Sequence, residues 1–371
     1  MDIKKKINII IAVIDVIVAV IVGSVLIYCS GQAKSVSLQG AAEKWAGDIT
    51  DFGYTAVSVY TDNSTAFDIG RIYSMRTNIQ QKLDEQIAAG NKGSLFADCW
   101  YGKQYITLTS SRTSLSAEAY AVGGSFFTVH EPEIISGSVF SPDDVNMDTV
   151  VIDENTSWKL FGSVDTAGLT VTAGDIPLYI SAVIRSPHEG ERLNAYKADG
   201  SVPTIYIPSQ TAGVITGSEP KFTGYDILIP DKIDGFGSDI VKEAAGYSEG
   251  SSYMTVTDSR SRFGIKAINK QAEKLTGLAG SESVIVYPWW EDAARGVILK
   301  LSVCMKLCSF SVVVLLISAV YWIVMLCWLA AFGARKASDK VNAVIERKKL
   351  IDYYIKHDKH ELAESVRNKR S

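Results

Sequence analysis

Residues 149–184 read TVVIDENTSWKLFGSVDTAGLTVTAGDIPLYISAVI, and three unlike patterns follow one another within them. Residues 150–152 are a short apolar run, the mark of a buried strand. Asp153 then stands where a carboxylate caps a helix, and Trp158, Leu160 and Phe161 fall on that helix before Gly162 ends it. Residues 169–184 alternate on either side of Ala173-Gly174-Asp175 as a hairpin does, with Leu178, Ile180, Ala182 and Ile184 on one face of the second arm. The short helix should pack its Trp158, Leu160 and Phe161 on this hairpin. A strand, a short helix and a hairpin in succession predict a mixed α+β domain.

The same alternation of periods continues on both sides. Upstream, residues 37–49 read as a short helix, 55–60 (TAVSVY) as a β-branched strand, and 105–109 as another strand. Between them residues 68–89 place Ile69, Ile72, Met75, Ile79, Leu83 and Ile87 on one helical stripe that Gly90 stops. Downstream, 203–208 (PTIYIP) reads as a strand whose prolines suit a sheet edge. Strand 225–229, helix 238–245, strand 252–257, helix 265–275 and strand 284–287 complete the pattern. No internal repeat is evident.

This domain lies between two segments of another kind. Residues 7–28 are apolar apart from Asn8, Asp15 and Ser24, and as a helix would be about 33 Å long. Residues 307–332 carry no charge and would reach about 39 Å. The first run is too long for a signal-peptide core and lacks a following A-x-A site, so it reads as an uncleaved anchor. Residues 31–294 hold 33 acidic and 20 basic residues, whereas 333–371 hold 6 acidic and 11 basic; Lys4, Lys5 and Lys6 precede the first span. The positive-inside rule therefore puts both termini in the cytoplasm and the large middle outside the cell membrane. Trp289 and Trp290 read as interface anchors, with Arg295, Lys300 and Lys306 snorkelling at the outer surface. Four of the five cysteines (Cys29, Cys304, Cys308, Cys327) lie in or beside the spans. With Cys99 alone the outer domain must be held by its own core, as suits a bacterial surface protein. A net charge of −4 gives no case for nucleic-acid binding.

Four pieces in order resemble the extracellular core domain of the MacB/FtsX family of ABC-transporter permeases. They are GGSFFTVHEPEIISGSVFS (123–141), TVVIDENTSWKLFG (149–162), DTAGLTVTAGDIPLYISAVI (165–184) and PTIYIPSQ (203–210). The resemblance covers residues 1 to about 330. It implies a porter-like α+β lobe carrying an inserted, mainly β lobe near 118–216, between two transmembrane helices. The expected division is 1–30 for the cytoplasmic N-terminus and first helix, 31–294 for the outer core domain, 295–332 for the second helix and 333–371 for a basic cytoplasmic tail. Where a typical member has three spans after the outer domain, this chain has one. The family's coupling segment, close to ERTREIGIRKALGA, has no recognisable counterpart in GARKASDKVNAVIERKKL.

No Walker A pattern occurs, so the chain brings no ATPase of its own. Gly246-Tyr247-Ser248-Glu249-Gly250 matches G-x-S-x-G, but a helix precedes it and a strand follows, the reverse of a nucleophile elbow. His130 and His188 lack ligand-spaced partners and read as surface or loop histidines. No catalytic, cofactor or metal site is expected, and the chain is not read as an enzyme. Asp15 stands out as a carboxylate within a span, about 12 Å from its inner end, a depth at which Tyr321 lies on the second span with Ser318 further out. Asp15, Ser318 and Tyr321 are thus candidates for an intramembrane contact. In the tail, Val341, Val344, Ile345, Ile351, Tyr354 and Ile355 form a partial stripe beside Arg347, Lys348 and Lys349. Such a helix suits contact with an ATPase or with anionic membrane lipid. The resemblance implies a noncatalytic subunit working with an ABC ATPase and another permease chain. A membrane-anchored extracellular binding or sensor module without transport is the alternative.

Overall fold

The structure, a computed structural model, describes residues 3–47, 52–86, 95–144, 147–186, 202–277, 285–356 and 359–368. It has two compact units, Ile27–Met305 and the paired end segments Met1–Leu26 and Lys306–Ser371. In chain order the elements begin α1 (Ile3–Ser35), α2 (Gln39–Ala46), β1 (Gly53–Thr61), α3 (Ile69–Gln86), β2 (Ala97–Thr109) and β3 (Ser114–Gly124). Then come α4 (Phe126–His130), β4 (Ile134–Gly137), β5 (Thr149–Asp153), α5 (Glu154–Phe161), β6 (Thr170–Ala173), β7 (Ile176–Ile184), β8 (Thr204–Pro208) and α6 (Ser209–Thr216). The rest are β9 (Gly224–Asp231), α7 (Phe236–Ala245), β10 (Met254–Asp258), α8 (Ser259–Arg262), α9 (Ile265–Gly277), α10 (Trp289–Lys356) and α11 (His360–Asn368).

The unit Ile27–Met305 is built on one sheet in the order β10-β1-β9-β2-β3-β8-β5-β7-β4, with β6 pairing β2 and β7. Side chains alternate across it. Odd-numbered Val57 and Val59 of β1 join Trp100, Ile227 and Ile229 under α3 and α7, whose Ile72, Met75, Ile79, Leu83 and Val241 are buried. The same face continues into a second core, where Ile106, Ala119, Ile152, Leu178 and Ile205 pack with Leu160 of α5 and Ala212 of α6. The opposite face carries Tyr54, Ala56, Tyr60, Cys99, Tyr101, Tyr120, Val151 and Tyr206 against α2, α4, Trp289 and Trp290. Residues 118–216 thus contribute strands to the same sheet as their flanks, joined through the long β2–β3 ladder.

The stretch 149–184 folds largely as its pattern dictates. Asp153 accepts from Thr156 N at 2.8 Å, and Gly162 closes α5 at φ 72°, a left-handed cap open to glycine. Leu160 is buried and Phe161 packs at the edge of the core, but Trp158, expected to pack on the hairpin, is 57% exposed. The second arm of the hairpin does not keep one face. Between Ile180 and Ala182 the β5–β7 register shifts, so Leu178 and Ile180 enter one core while Ala182 and Ile184 enter the other.

Two further expectations are corrected. Strand β8 is not an edge: it pairs β3 in parallel and β5 antiparallel. Its prolines are tolerated because Pro203 precedes the strand and offers only its carbonyl, to Glu118 N at 2.8 Å, while Pro208 ends the strand at the start of α6. Residues 285–287 form no strand; Ile285 and Tyr287 instead pack on the aromatic face ahead of α10. Val284, Ile49, Ile87, Gly90 and His188 lie outside the described residues.

A smaller cluster joins Ile268 and Ala272 of α9 to Val297, Ile298 and Leu301 of α10, with Cys29, Ala33 and Val36 from the end of α1 beside them. In the unit of end segments α1 and α10 run antiparallel. Asn8 Nδ2 donates to Met325 Sδ at 3.1 Å, and one heptad along Asp15 meets Ser318. Both helices are long and apolar enough to cross a membrane, and their apolar side chains are mostly exposed.

Truncating Leu160 to alanine should cost about 2–5 kcal/mol, the range for a large buried side chain. Trp158→Ala should stay within about 0.5 kcal/mol, as for most surface changes. Thermal unfolding of the full-length chain in detergent separates the two; equal losses would contradict this packing.

Candidate functional site

Helix α10 begins inside the outer unit. The carbonyl of Pro288 accepts from the backbone N–H groups of Glu291 and Asp292, and the two acids then occupy the first turn, where the helix dipole favours negative charge. Glu291 is only 2% exposed. Its carboxylate takes a two-pronged contact from Arg262, at the end of α8, with Nη1 2.6 Å from Oε2 and Nη2 2.7 Å from Oε1. Arg295, one turn along α10, donates through Nε to Oε1 at 2.9 Å, and the hydroxyl of Tyr60 on β1 donates to Oε2 at 3.2 Å. The Arg295 guanidinium also lies 3.3 Å from the centre of the Tyr287 ring. Arg295 is therefore not a snorkelling surface charge.

The electrostatics follow from this geometry. Burial alone would raise the Glu291 pKa, but Arg262 and Arg295 outweigh it and hold the carboxyl below its ordinary 4.5. Its neighbour Asp292 lacks such partners, and burial pushes it up to about 6 against the pull of Arg295. The Tyr60 hydroxyl is raised well above its usual range by burial and by Glu291.

Beside this network the two tryptophans pack on the sheet. Trp289 Nε1 donates to the Tyr206 hydroxyl at 3.1 Å, and Trp290 meets the rings of Tyr101, Tyr120 and His130 at centroid distances of 4.9, 5.1 and 4.7 Å. They are core contacts of the outer unit, which corrects the expectation of membrane-interface anchors. Next to them lies a cavity of about 420 Å³, walled by Phe126, Phe127, Tyr206, Trp289 and Trp290, with His130, Glu133 and Arg185 as polar groups. His130 is not a surface histidine: its side chain is 10% exposed and Nε2 lies 3.0 Å from Asp226 Oδ2.

The candidate intramembrane residues divide into two pairs. Ser318 Oγ donates to Asp15 Oδ2 at 2.6 Å, and the same oxygen accepts from Trp322 Nε1 at 2.9 Å. Tyr321 does not reach Asp15; its hydroxyl donates to Asn8 Oδ1 at 2.6 Å. In the tail, Arg347 turns toward α11, its Nη2 donating to the carbonyls of Val366 and Arg367 at 2.7 and 3.0 Å. Lys348 and Lys349 are exposed, while Ile351 and Tyr354 are half-buried.

No protein-family model matches the chain. Over 198 residues, 53% of its length, it is 23% identical to the macrolide export ATP-binding/permease protein MacB of Escherichia coli, covering 29% of that protein. The MacB proteins of Paracoccus denitrificans (30% over 131 residues) and Neisseria gonorrhoeae (37% over 81 residues) match 34% and 21% of the chain. The chain carries a MacB/FtsX-like permease core domain. It spans less than a third of the length of these relatives, with 19% and 13% of the latter two covered. Among solved structures, the periplasmic region of MacB from Actinobacillus actinomycetemcomitans is 17% identical, with a TM-score of 0.39 over 59% of this chain and 95% of that one. The extracellular domain of the noncanonic ABC-type transporter YknZ from Gram-positive bacteria is 13% identical, with a TM-score of 0.38 over 54% and 99%.

Replacing Arg262 with methionine leaves Glu291 buried with a poorer set of partners and should cost about 3–5 kcal/mol at neutral pH. Because the Glu291 pKa is depressed on folding, its contribution is present above 4.5 and is lost as pH falls through the lower folded value. Asp292 has the opposite sign. Its raised pKa makes the ionised form unfavourable, so Asp292→Asn should stabilise above pH 6 by on the order of 1–3 kcal/mol and have no effect below 3.8. Unfolding curves of the three proteins from pH 3 to 8, on the order of the range where carboxylates titrate, check both signs.

Proposed function

We propose that this MacB-like chain is a noncatalytic membrane subunit of an ABC-transporter complex. In this reading ATPase-driven movement of the membrane helices is passed to the outer domain through the first turns of α10. The observation that carries it is the buried Glu291 network, which ties the start of α10 to β1 and α8. A helix held by a hydrogen-bonded buried charge on one side and by the apolar contacts of Val297, Ile298 and Leu301 on the other cannot shift without moving the sheet behind it.

The curated relatives are named as combined ATP-binding and permease proteins. In this reading a separate ATPase supplies the nucleotide chemistry and a second permease chain completes the membrane pathway, which the lack of a Walker A loop in these 371 residues supports. The charge asymmetry supports an outer face for residues 31–294 and a cytoplasmic place for both termini. Asp15, with Ser318 and Trp322, then serves to pair the two helices, because a carboxylate in hydrocarbon requires hydrogen-bonded partners. On the tail, exposed Lys348 and Lys349 are the groups available to an ATPase or to anionic lipid, whereas Arg347 is committed to α11.

One observation favours a second reading. The cavity of about 420 Å³ beside Trp289 and Trp290 is large and aromatic enough to hold a small amphipathic molecule, as a membrane-anchored binding or sensor module requires. Affinity purification of the full-length chain from its native membranes in mild detergent distinguishes the two. The transporter reading expects an ABC ATPase among the recovered proteins, and less of it after deletion of residues 341–371 if the tail makes the contact. Absence of any ATPase, under conditions that preserve a known transporter complex, would favour the anchored module.

A further inference from the structure

Asp226 is the most anomalous side chain of the outer unit. It is 1% exposed on an interior strand of the sheet, and its carboxylate has only His130 and the Tyr101 hydroxyl as polar side-chain neighbours to compensate it, neither in a well-aligned hydrogen bond. A carboxylate in such a place is costly unless a cation or several donors compensate it. Ser58 and Cys99 stand directly across from it on β1 and β2. The Cys99 side chain points to the same face, and His130 at the end of α4 comes down over that pair. The thiol of Cys99, the imidazole of His130 and the carboxylate of Asp226 offer ligand atoms that all lie within 4.8 Å of one another.

We propose that Cys99, His130 and Asp226 bind a divalent transition-metal ion, with zinc the best match to the donors. One sulfur, one imidazole nitrogen and one carboxylate oxygen are the ligand types zinc takes, with donors about 3.4–3.6 Å apart in a tetrahedral site, so a small inward closure completes the coordination. One detail of geometry favours a metal over a simple ion pair. The His130 Nε2 is 3.0 Å from Asp226 Oδ2, close enough for an ion pair, yet the two atoms form no well-aligned hydrogen bond. The hydroxyl of Tyr101, two residues beyond Cys99 on the same face, is buried beside Asp226 and can donate to that carboxylate whether or not an ion is bound. His130 also lines the cavity beside Trp290, which gives an ion a route to the buried pair.

The charges balance on binding. Zinc enters as a dication, binds Asp226 as its carboxylate, and the Cys99 thiol loses one proton to solvent as its Zn–S bond forms.

The test uses the full-length chain in detergent with Cys29, Cys304, Cys308 and Cys327 changed to serine, so that Cys99 is the only thiol. After removal of metals with a chelator, titration with cobalt(II) should give a thiolate-to-cobalt charge-transfer band saturating at about one ion per chain. Zinc should displace the cobalt and raise the melting temperature. His130→Gln should weaken binding by at least about 10–100-fold, the size of even an outer-shell loss. Asp226→Asn removes a buried charge and keeps the chain folded, so its metal-free melting temperature should hold or rise while the zinc-induced shift disappears. A folded chain that shows no thiolate–cobalt band and no zinc-induced shift would overturn the proposal and leave His130 and Asp226 as an ion pair only.

Discussion

The buried carboxylate of Glu291 sets the terms for the rest of the outer unit. Removing such a group from water costs several kcal/mol, and the expense is met only while Arg262, Arg295 and Tyr60 all stay in place. Those three partners come from α8, α10 and β1, so one charge fixes where a helix starts, where a short helical turn ends and how both meet the sheet. The interaction is of the kind that specifies an arrangement more than it adds stability. Any displacement of α10 breaks several charged hydrogen bonds together, and small shifts are therefore resisted until the whole set moves.

Around that anchor the sheet uses its two faces differently. One face is covered by α3 and α7 at one end and by α5, α6 and the β6–β7 hairpin at the other; the first of these cores mixes aliphatic side chains with Phe67, Phe96, Trp100, Phe222 and Tyr225, and the second is aliphatic apart from Phe161 at its edge. The other face is aromatic, with Tyr54, Tyr60, Tyr101, Tyr120, Tyr206, Trp289 and Trp290 in contact, and its buried polar groups include Glu118, Asp226 and Glu291, with Cys99 and the half-buried His130 beside Asp226. Rings with polar tips tolerate neighbouring charge better than aliphatic packing does. Glu291, Asp226, the cavity and the start of α10 gather on that side, whereas Asp98 is buried on the other with Tyr225 and Arg76.

Much of this was legible in the sequence because it rests on local rules. The Asp153 cap, the Gly162 stop, the Ile72, Met75, Ile79 and Leu83 stripe of α3 and the strands β1 and β9 are set by side chains within one turn or one strand, and they appear where the pattern places them, although Ile69, read as part of the stripe, is exposed. Membrane-spanning length is equally local. The errors arose where partners are distant in sequence. Arg262 and Glu291 are 29 residues apart, and Cys99, His130 and Asp226 come from three elements. Nothing in spacing joins them. Trp289 and Trp290 carry a composition that fits a membrane interface as well as an aromatic core, and only the sheet decides between the two. The face switch in β7 depends on a bulge for which no residue of 176–184 gives a signal. A partial signal did exist for the anchor: Glu291 and Arg295 sit at i and i+4 at the start of a helix, a spacing that pairs charges.

The central claim is that the first turns of α10 belong to the folded outer sheet. Native-state hydrogen exchange on the full-length chain in detergent tests it directly, by comparing the amides of residues 293–302 with those of β1 and β9. If Glu291 and its partners hold α10 to the sheet, the two sets exchange at a common slow rate, and Glu291→Gln speeds both together. Fast exchange of 293–302 beside slow exchange of β1 and β9 would contradict the claim, since it would show a helix that opens independently of the domain it enters.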